Sequence, residues 1–333
     1  MPRPLRLQLG VNGAFCTRRW EQPDTWMRLT RECGFRVHEF CGDVVDPFFS
    51  GDRSFQLEQA ATVKAAAKRH GVTISDIYTG VATHRFHGLS HSDRRARQRM
   101  REWVEAAMDL ALIMGTDAIG GHWDAIPVEV WPDEGRLRRA LDRLYDIFRK
   151  LAETAQRKGL RALYDEQMYI PSEIPWTLAQ AEEFLREVNR NRKGVPVYLT
   201  VDVGHAAGMH YGLTGPDTDY VAWLERFAAV SEIVHLQQTT PEASAHWPFT
   251  EEYNAAGHIR MEKVLDAIRR SHETWPQNPL CGVLPPVDHT HLILEVIPGS
   301  THTEDRVLRE LKQSSDFLHQ FVPEAGLDLA FPD

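Results

Sequence analysis

Cysteine is scarce: Cys16, Cys33, Cys41 and Cys281 are the four in 333 residues, and none forms a CxxC pair. That excludes a disulfide scaffold and suits the reduced thiols of a cytoplasmic protein. Long apolar runs are missing too. No stretch approaches the roughly 20 residues of a membrane span, and the opening MPRPLRLQLGVNG has too short an apolar run for a signal peptide. Arg18-Arg19 is followed by Trp-Glu-Gln-Pro, which argues against a twin-arginine export signal. Basic charge is in deficit, with 38 Lys and Arg against 47 Asp and Glu and a formal net charge of −9. A protein that grips phosphodiester backbones needs the opposite balance, so the expected partner is a small molecule, not nucleic acid or a membrane. No Pro/Gly/Ser-rich linker divides the chain, so residues 1–333 read as one domain.

What is present is a repeated grammar. RECG precedes FRVHEF, KRHG precedes VTISDI, LIMG precedes TDAIGG, QRKG precedes LRALYD and NRKG precedes VPVYLT. Most of these endings carry basic residues before a glycine, as expected of helices closing on a left-handed residue and entering a strand, here at Gly34, Gly71, Gly115, Gly159 and Gly194. With Leu5–Asn12 before them and Ile233–Thr240 and His291–Gly299 after them, the count is eight strands. Between strands, Met100, Val104, Ala107, Ala111 and Met114 mark a helical stripe whose arginines read as a solvated outer face. The expected fold is a single α/β (β/α)8 TIM barrel with insertions near 84–92, 240–258 and 272–290. No GxGxxG turn follows the first strand, which leaves a doubly wound sheet as the fallback.

The stretch PVYLTVDVGHAAG (196–208) is a doubly covered strand that stops at Asp202, with His205 three residues on. Reading the last polar residue of each later strand adds Glu166, His235 and Glu295. Each alone reads as an ordinary structural group. Neighbouring barrel strands bring their ends together, however, and three buried carboxylates repel without a cation. The four are expected to hold one divalent metal ion; three carboxylates and an imidazole suit Mn2+, Mg2+ or Co2+, with Zn2+ a further candidate. Glu166 and Glu295, on opposite sides of that cluster, would flank a substrate as two proton-transfer groups beside a polarised carbonyl. Epimerisation follows from exchange on opposite faces, and aldose–ketose isomerisation from exchange on one.

His205 and His122 are expected to contact substrate, while the loop residues His84, His87 and His91 read equally well as solvated groups. Trp123 and Trp247 would wall a small polyol or plug the rim. Backbone amides of Gly299–Thr301 could hold a phosphate, although Glu304 and Asp305 fit plain helix capping.

With Glu166, Asp202-x-x-His205, His235 and Glu295 in place, the chain resembles the xylose-isomerase-like TIM-barrel superfamily of sugar and sugar-phosphate isomerases and epimerases. Val234–Ile268 looks like its tetrulose-phosphate 3-epimerase branch. The resemblance implies Glu166, Asp202, His235 and Glu295 as metal ligands, Glu166 and Glu295 as the acid/base pair, and His205 as a substrate contact. It also implies a sugar or sugar phosphate as substrate. Ketose 3-epimerases carry an arginine soon after the metal-binding histidine, where this chain has His246-Trp247; related barrels have Pro-x-Arg-Glu where this chain has IPSE, so Glu173 takes the matching place. These departures make Glu173, His246 and Trp247 the candidate substrate contacts. Endonuclease IV-like relatives, with extra zinc ligands at positions such as His84 or His87, His122 and His246, are the second reading; the acidic balance argues against them. A barrel that only binds sugar leaves the ligand set unexplained. Such barrels often form homo-oligomers, but no interface is marked in the sequence.

Overall fold

The computed structural model describes residues 4–79 and 86–331. Eight parallel strands close on themselves: β1 (Leu5–Asn12), β2 (Val37–Cys41), β3 (Thr73–Tyr78), β4 (Ala118–Gly120), β5 (Ala162–Glu166), β6 (Val197–Asp202), β7 (Ile233–Leu236) and β8 (His289–Leu294), with β1 hydrogen-bonded to both β8 and β2. Their wholly buried faces explain why they read as apolar runs and not as alternating ones. Around them lie α1 (Pro23–Glu32), α2 (Arg53–His70), α3 (Arg94–Met114), α4 (Glu134–Lys158), α5 (Leu178–Val188), α6 (Tyr220–Phe227), α7 (Glu251–Ala256), α8 (Met261–Glu273) and α9 (Glu304–Leu318). The expected (β/α)8 barrel is what the chain forms. Among the described residues, no helix is long and apolar enough to cross a membrane.

Four of the five expected glycine junctions take the left-handed backbone: Gly34, Gly71, Gly115 and Gly159. Gly194 does not. There α5 stops at Val188, and the Asn189 side chain bonds the Leu185 carbonyl and both backbone groups of Val197. Gly194 is required for space instead, since a Cβ would fall 2.3 Å from the Ala152 carbonyl carbon. Two strands are also shorter than expected, β7 ending at Leu236 and β8 at Leu294. The chain beyond them is loop, which frees Gln237 and Glu295 to serve the mouth, while the Gln238 side chain ties down Asn254 and Ile259. The 240–258 insertion contains α7, and a ninth strand, β9 (Leu327–Leu329), pairs antiparallel with Leu5–Leu7 of β1.

Candidate active site

Glu166 and Asp202 are the last residues of β5 and β6, His235 is the third residue of the four-residue β7, and Glu295 follows β8 directly. All four are buried, and one donor atom from each lies within 4.8 Å of the others. They converge on His235 Nδ1, which is 2.9 Å from Glu166 Oε1, 3.3 Å from Glu295 Oε2 and 3.9 Å from Asp202 Oδ2. A single N–H can serve one of those carboxylates well. A divalent ion can serve all three together with the imidazole, so this donor set fits a hard or borderline cation.

The far nitrogen of the same ring is fixed as well. His235 Nε2 lies 3.0 Å from Glu39 Oε1 on β2, and the other oxygen of Glu39 accepts from the Asn12 amide. Asn12 Oδ1 in turn accepts from the Ala14 N–H at 2.7 Å, which orients that amide. A carboxylate behind a ligating imidazole sets its tautomer and raises its basicity. Tyr78, ending β3, donates to Glu166 Oε2. Gln237 Nε2 donates to both oxygens of Asp202, at 2.9 and 3.0 Å, and Gln237 Oε1 accepts from the His246 N–H at 2.6 Å. The backbone of Gly204 packs against Gln237, where a Cβ would sit 2.2 Å from the amide carbon.

Electrostatics follow from this crowding. Burial alone would lower His235, but Glu39, Glu295 and Glu166 reverse that and hold it well above the ordinary imidazole range. Burial would raise Glu295, yet His235 and His246 draw it well below the carboxylate range. Glu166 is also lowered, as His205 and His235 outweigh its burial. In both glutamates the neighbouring imidazoles favour the carboxylate form. Burial raises Asp202 and Glu39, with His205 and His235 respectively opposing it.

Above this floor is a cavity of about 330 Å3 whose lining includes Asn12, Tyr78, Glu173, His205, His246 and Glu295. Its size suits a short sugar rather than a polymer. His205 directs Nδ1 to the Gln167 carbonyl at 2.8 Å. His246 holds a left-handed backbone (φ 47°) that few non-glycine residues adopt, with Nδ1 3.3 Å from Glu295 Oε2. Among the described residues no lysine or arginine lines this cavity.

A profile of xylose isomerase-like TIM barrels matches residues 27–277. The chain belongs to that family. It is 24% identical over 264 residues to the D-erythrulose 1-phosphate 3-epimerase of Brucella abortus, covering 79% of this chain and 84% of that protein. A Rhodospirillum rubrum protein assigned as a xylose isomerase superposes with a TM-score of 0.80 at 23% identity, over 95% of this chain and 100% of that one. The D-psicose 3-epimerase of Clostridium cellulolyticum gives 0.64 at 16%, over 94% and 98%.

Within this xylose isomerase-like barrel, the remaining expected site residues are placed as follows. His122 is fully buried behind the site and does not line the cavity; Nδ1 meets the Glu166 carbonyl at 3.3 Å and Nε2 lies 3.6 Å from Asp124. Trp123 is core instead of a sugar wall, fully buried and stacked on Phe148 at 5.5 Å. Trp247 stacks on Tyr253 at 5.1 Å and lies outside the lining. His87 and His91 border a separate depression beside Phe48, Phe49 and Phe86, and His84 lies outside the described residues. Gly299 and His302 accept from Arg19 through their carbonyls, beside a second cavity of about 1150 Å3. Glu304 pairs with Arg19, and it and Asp305 open α9 behind the Thr303 cap.

Asn12, Glu39 and Tyr78 are site residues that the sequence reading passed over. Asn12 and Tyr78 are the final residues of β1 and β3. Reading the last polar residue of the first and third strands finds these two, whereas Glu39 lies mid-strand in β2.

Proposed function

We propose that this chain is a metal-dependent epimerase of a short ketose or ketose phosphate, inverting the carbon next to the carbonyl. The observation that carries the reading is the pair of buried glutamates, Glu166 and Glu295, at the ends of strands on either side of Asp202 and His235 in one cavity, with histidines that favour their carboxylate forms. The names of the relatives, sugar 3-epimerases among them, support the same chemistry. Glu166, Asp202, His235 and Glu295 would hold the ion, which when bound supplies polarisation of the ketone and so acidifies the neighbouring C–H. One glutamate takes the proton from that carbon as the C–H bond breaks and the electron pair passes toward the carbonyl oxygen. The other, having first taken up a proton from solvent, gives it to the opposite face as the new C–H bond forms, and the first then returns its proton to solvent. The net change is inversion, with no oxidation or reduction. His205 and His246 border the cavity where they can hydrogen-bond substrate oxygens, and the Glu39–His235 pair keeps the floor rigid.

The test is incubation with tetruloses, pentuloses, hexuloses and their phosphates plus Mn2+ in deuterated water. Deuterium at C3 with inversion there is expected. Label at C1 or C2 marks aldose–ketose isomerisation on the same residues, and no label with any ketose overturns the reading.

A further inference from the structure

The outer flank of the barrel between α3 and α4 is out of keeping with the rest of this acidic protein. Arg94, Arg97 and Arg101 stand three and four residues apart on α3 and so share one stripe, and Arg143 on α4 joins them around a depression of about 210 Å3. Facing helices at a surface ordinarily interleave opposite charges, yet little here neutralises four guanidiniums. Asp146, the one acid in the lining, is engaged by Lys150 at 2.6 Å and Arg149 at 3.5 Å. Among the described residues Arg94 and Arg143 have no ion pair, and Arg101 reaches Glu105 only at 3.8 Å.

Two of the four are held in place. Arg97 Nη1 donates to the carbonyls of His91 and Ser92 at 2.6 and 2.8 Å, which pins the guanidinium and leaves its other N–H groups for another partner. Arg101 Nε is buried without a hydrogen-bond acceptor. Partial burial, and after it the neighbouring Arg97 and Arg139, lowers Arg143 from the ordinary arginine value.

From this cluster we infer that the α3–α4 depression is a binding site for a small phosphoanion, inorganic phosphate or the phosphoryl end of a monoester, separate from the catalytic cavity. Planar guanidiniums bind phosphate oxygens with paired N–H donors, and such an anion relieves the mutual repulsion of the four. The depression is small and the chain carries a net charge of −9, so a compact anion fits where a nucleic acid would be repelled.

The test is calorimetric titration of the metal-loaded protein with inorganic phosphate, comparing wild type with Arg94→Gln, Arg143→Gln and Arg269→Gln. Arg269 lies on α8 beside Asp266, so its variant makes the same change in net charge elsewhere. Saturable binding that weakens about tenfold in Arg94→Gln and Arg143→Gln, and less than about twofold in Arg269→Gln, is the expected result. Absence of saturable binding to wild type, equal weakening in all three variants, or binding untouched by Arg143→Gln would each overturn it. Circular dichroism of the variants verifies that the helices are retained.

Discussion

The two halves of the barrel mouth do different work. The late half, β5 to β8, ends in the four side chains whose donor atoms meet within 4.8 Å. The early half, β1 to β3, supplies groups that support those side chains: Glu39 bonds His235 and is itself held by Asn12, and Tyr78 donates to Glu166. Two buried histidines register the contrast. His235, among carboxylates, is pushed well above the imidazole range, whereas burial without a carboxylate pushes His38 on β2 down to about 4. Burial alone therefore does not decide the charge of a group; the polarity of the wall it faces does.

The division is testable. If the late half carries the chemistry, Glu166→Gln and Glu295→Gln should each lower kcat about a thousandfold, since general acid–base groups contribute roughly 10^2 to 10^4. Deuterium exchange at the substrate carbon measures it, and an unchanged circular dichroism spectrum shows that the barrel remains. If the early half only positions, Glu39→Gln should lower metal affinity or activity by about 10- to 100-fold. The deficit should shrink at saturating metal, which distinguishes Glu39 from the proton-transfer pair; a loss as deep as that of Glu295→Gln would erase the distinction between the halves.

A third prediction concerns pH. His38 binds fewer protons folded, at about 4, than unfolded, at the ordinary 6.5. Its contribution to stability is complete above 6.5 and falls as the pH drops from 6.5 toward 4, by about 1.4 kcal/mol per unit. His272 and His291, lowered by burial to about 4 and about 3, act in the same direction. Because the raised His235, Glu39 and Asp202 act oppositely, the His38 contribution is isolated by chemical denaturation of wild type and His38→Asn at pH 7.0 and 5.5: wild type should lose more stability than the variant, and equal losses would contradict it. The smallest effect is expected at Trp247, which stacks on Tyr253 outside the cavity lining. Trp247→Ala should change KM by less than about threefold, and a larger rise would bring the Trp247 ring itself into the substrate site beside His246.

The barrel and the four convergent side chains were legible because a polar group at or beside the end of a doubly covered strand is costly unless it finds a partner, and Glu166, Asp202, His235 and Glu295 each lie within one residue of such an end. Glu39 was hidden by an alternative that local sequence cannot separate: within VHEF it reads as one polar residue of a strand, and its partner is 196 residues away. His122 and Trp123 were legible as a strand end but not as to side. Their neighbours, Asp124 and Phe148, decide that they belong to the wall. Gly194 matched the pattern of a helix terminus, while the turn is closed by Asn189 and the glycine answers to the nearby backbone of α4. β9 is three residues long, and three residues carry no periodicity to read.

That last strand bears on how the cylinder is sealed. β2 pairs only with Gly10–Asn12 of β1, while β9 lies against Leu5–Leu7, so the tail of the chain covers the part of the seam that its neighbour leaves bare. Peptide groups that would otherwise be open to strand addition by another molecule are occupied from within. Loss of Leu327–Leu329 would therefore be felt first as stickiness between molecules, on the face away from the catalytic mouth.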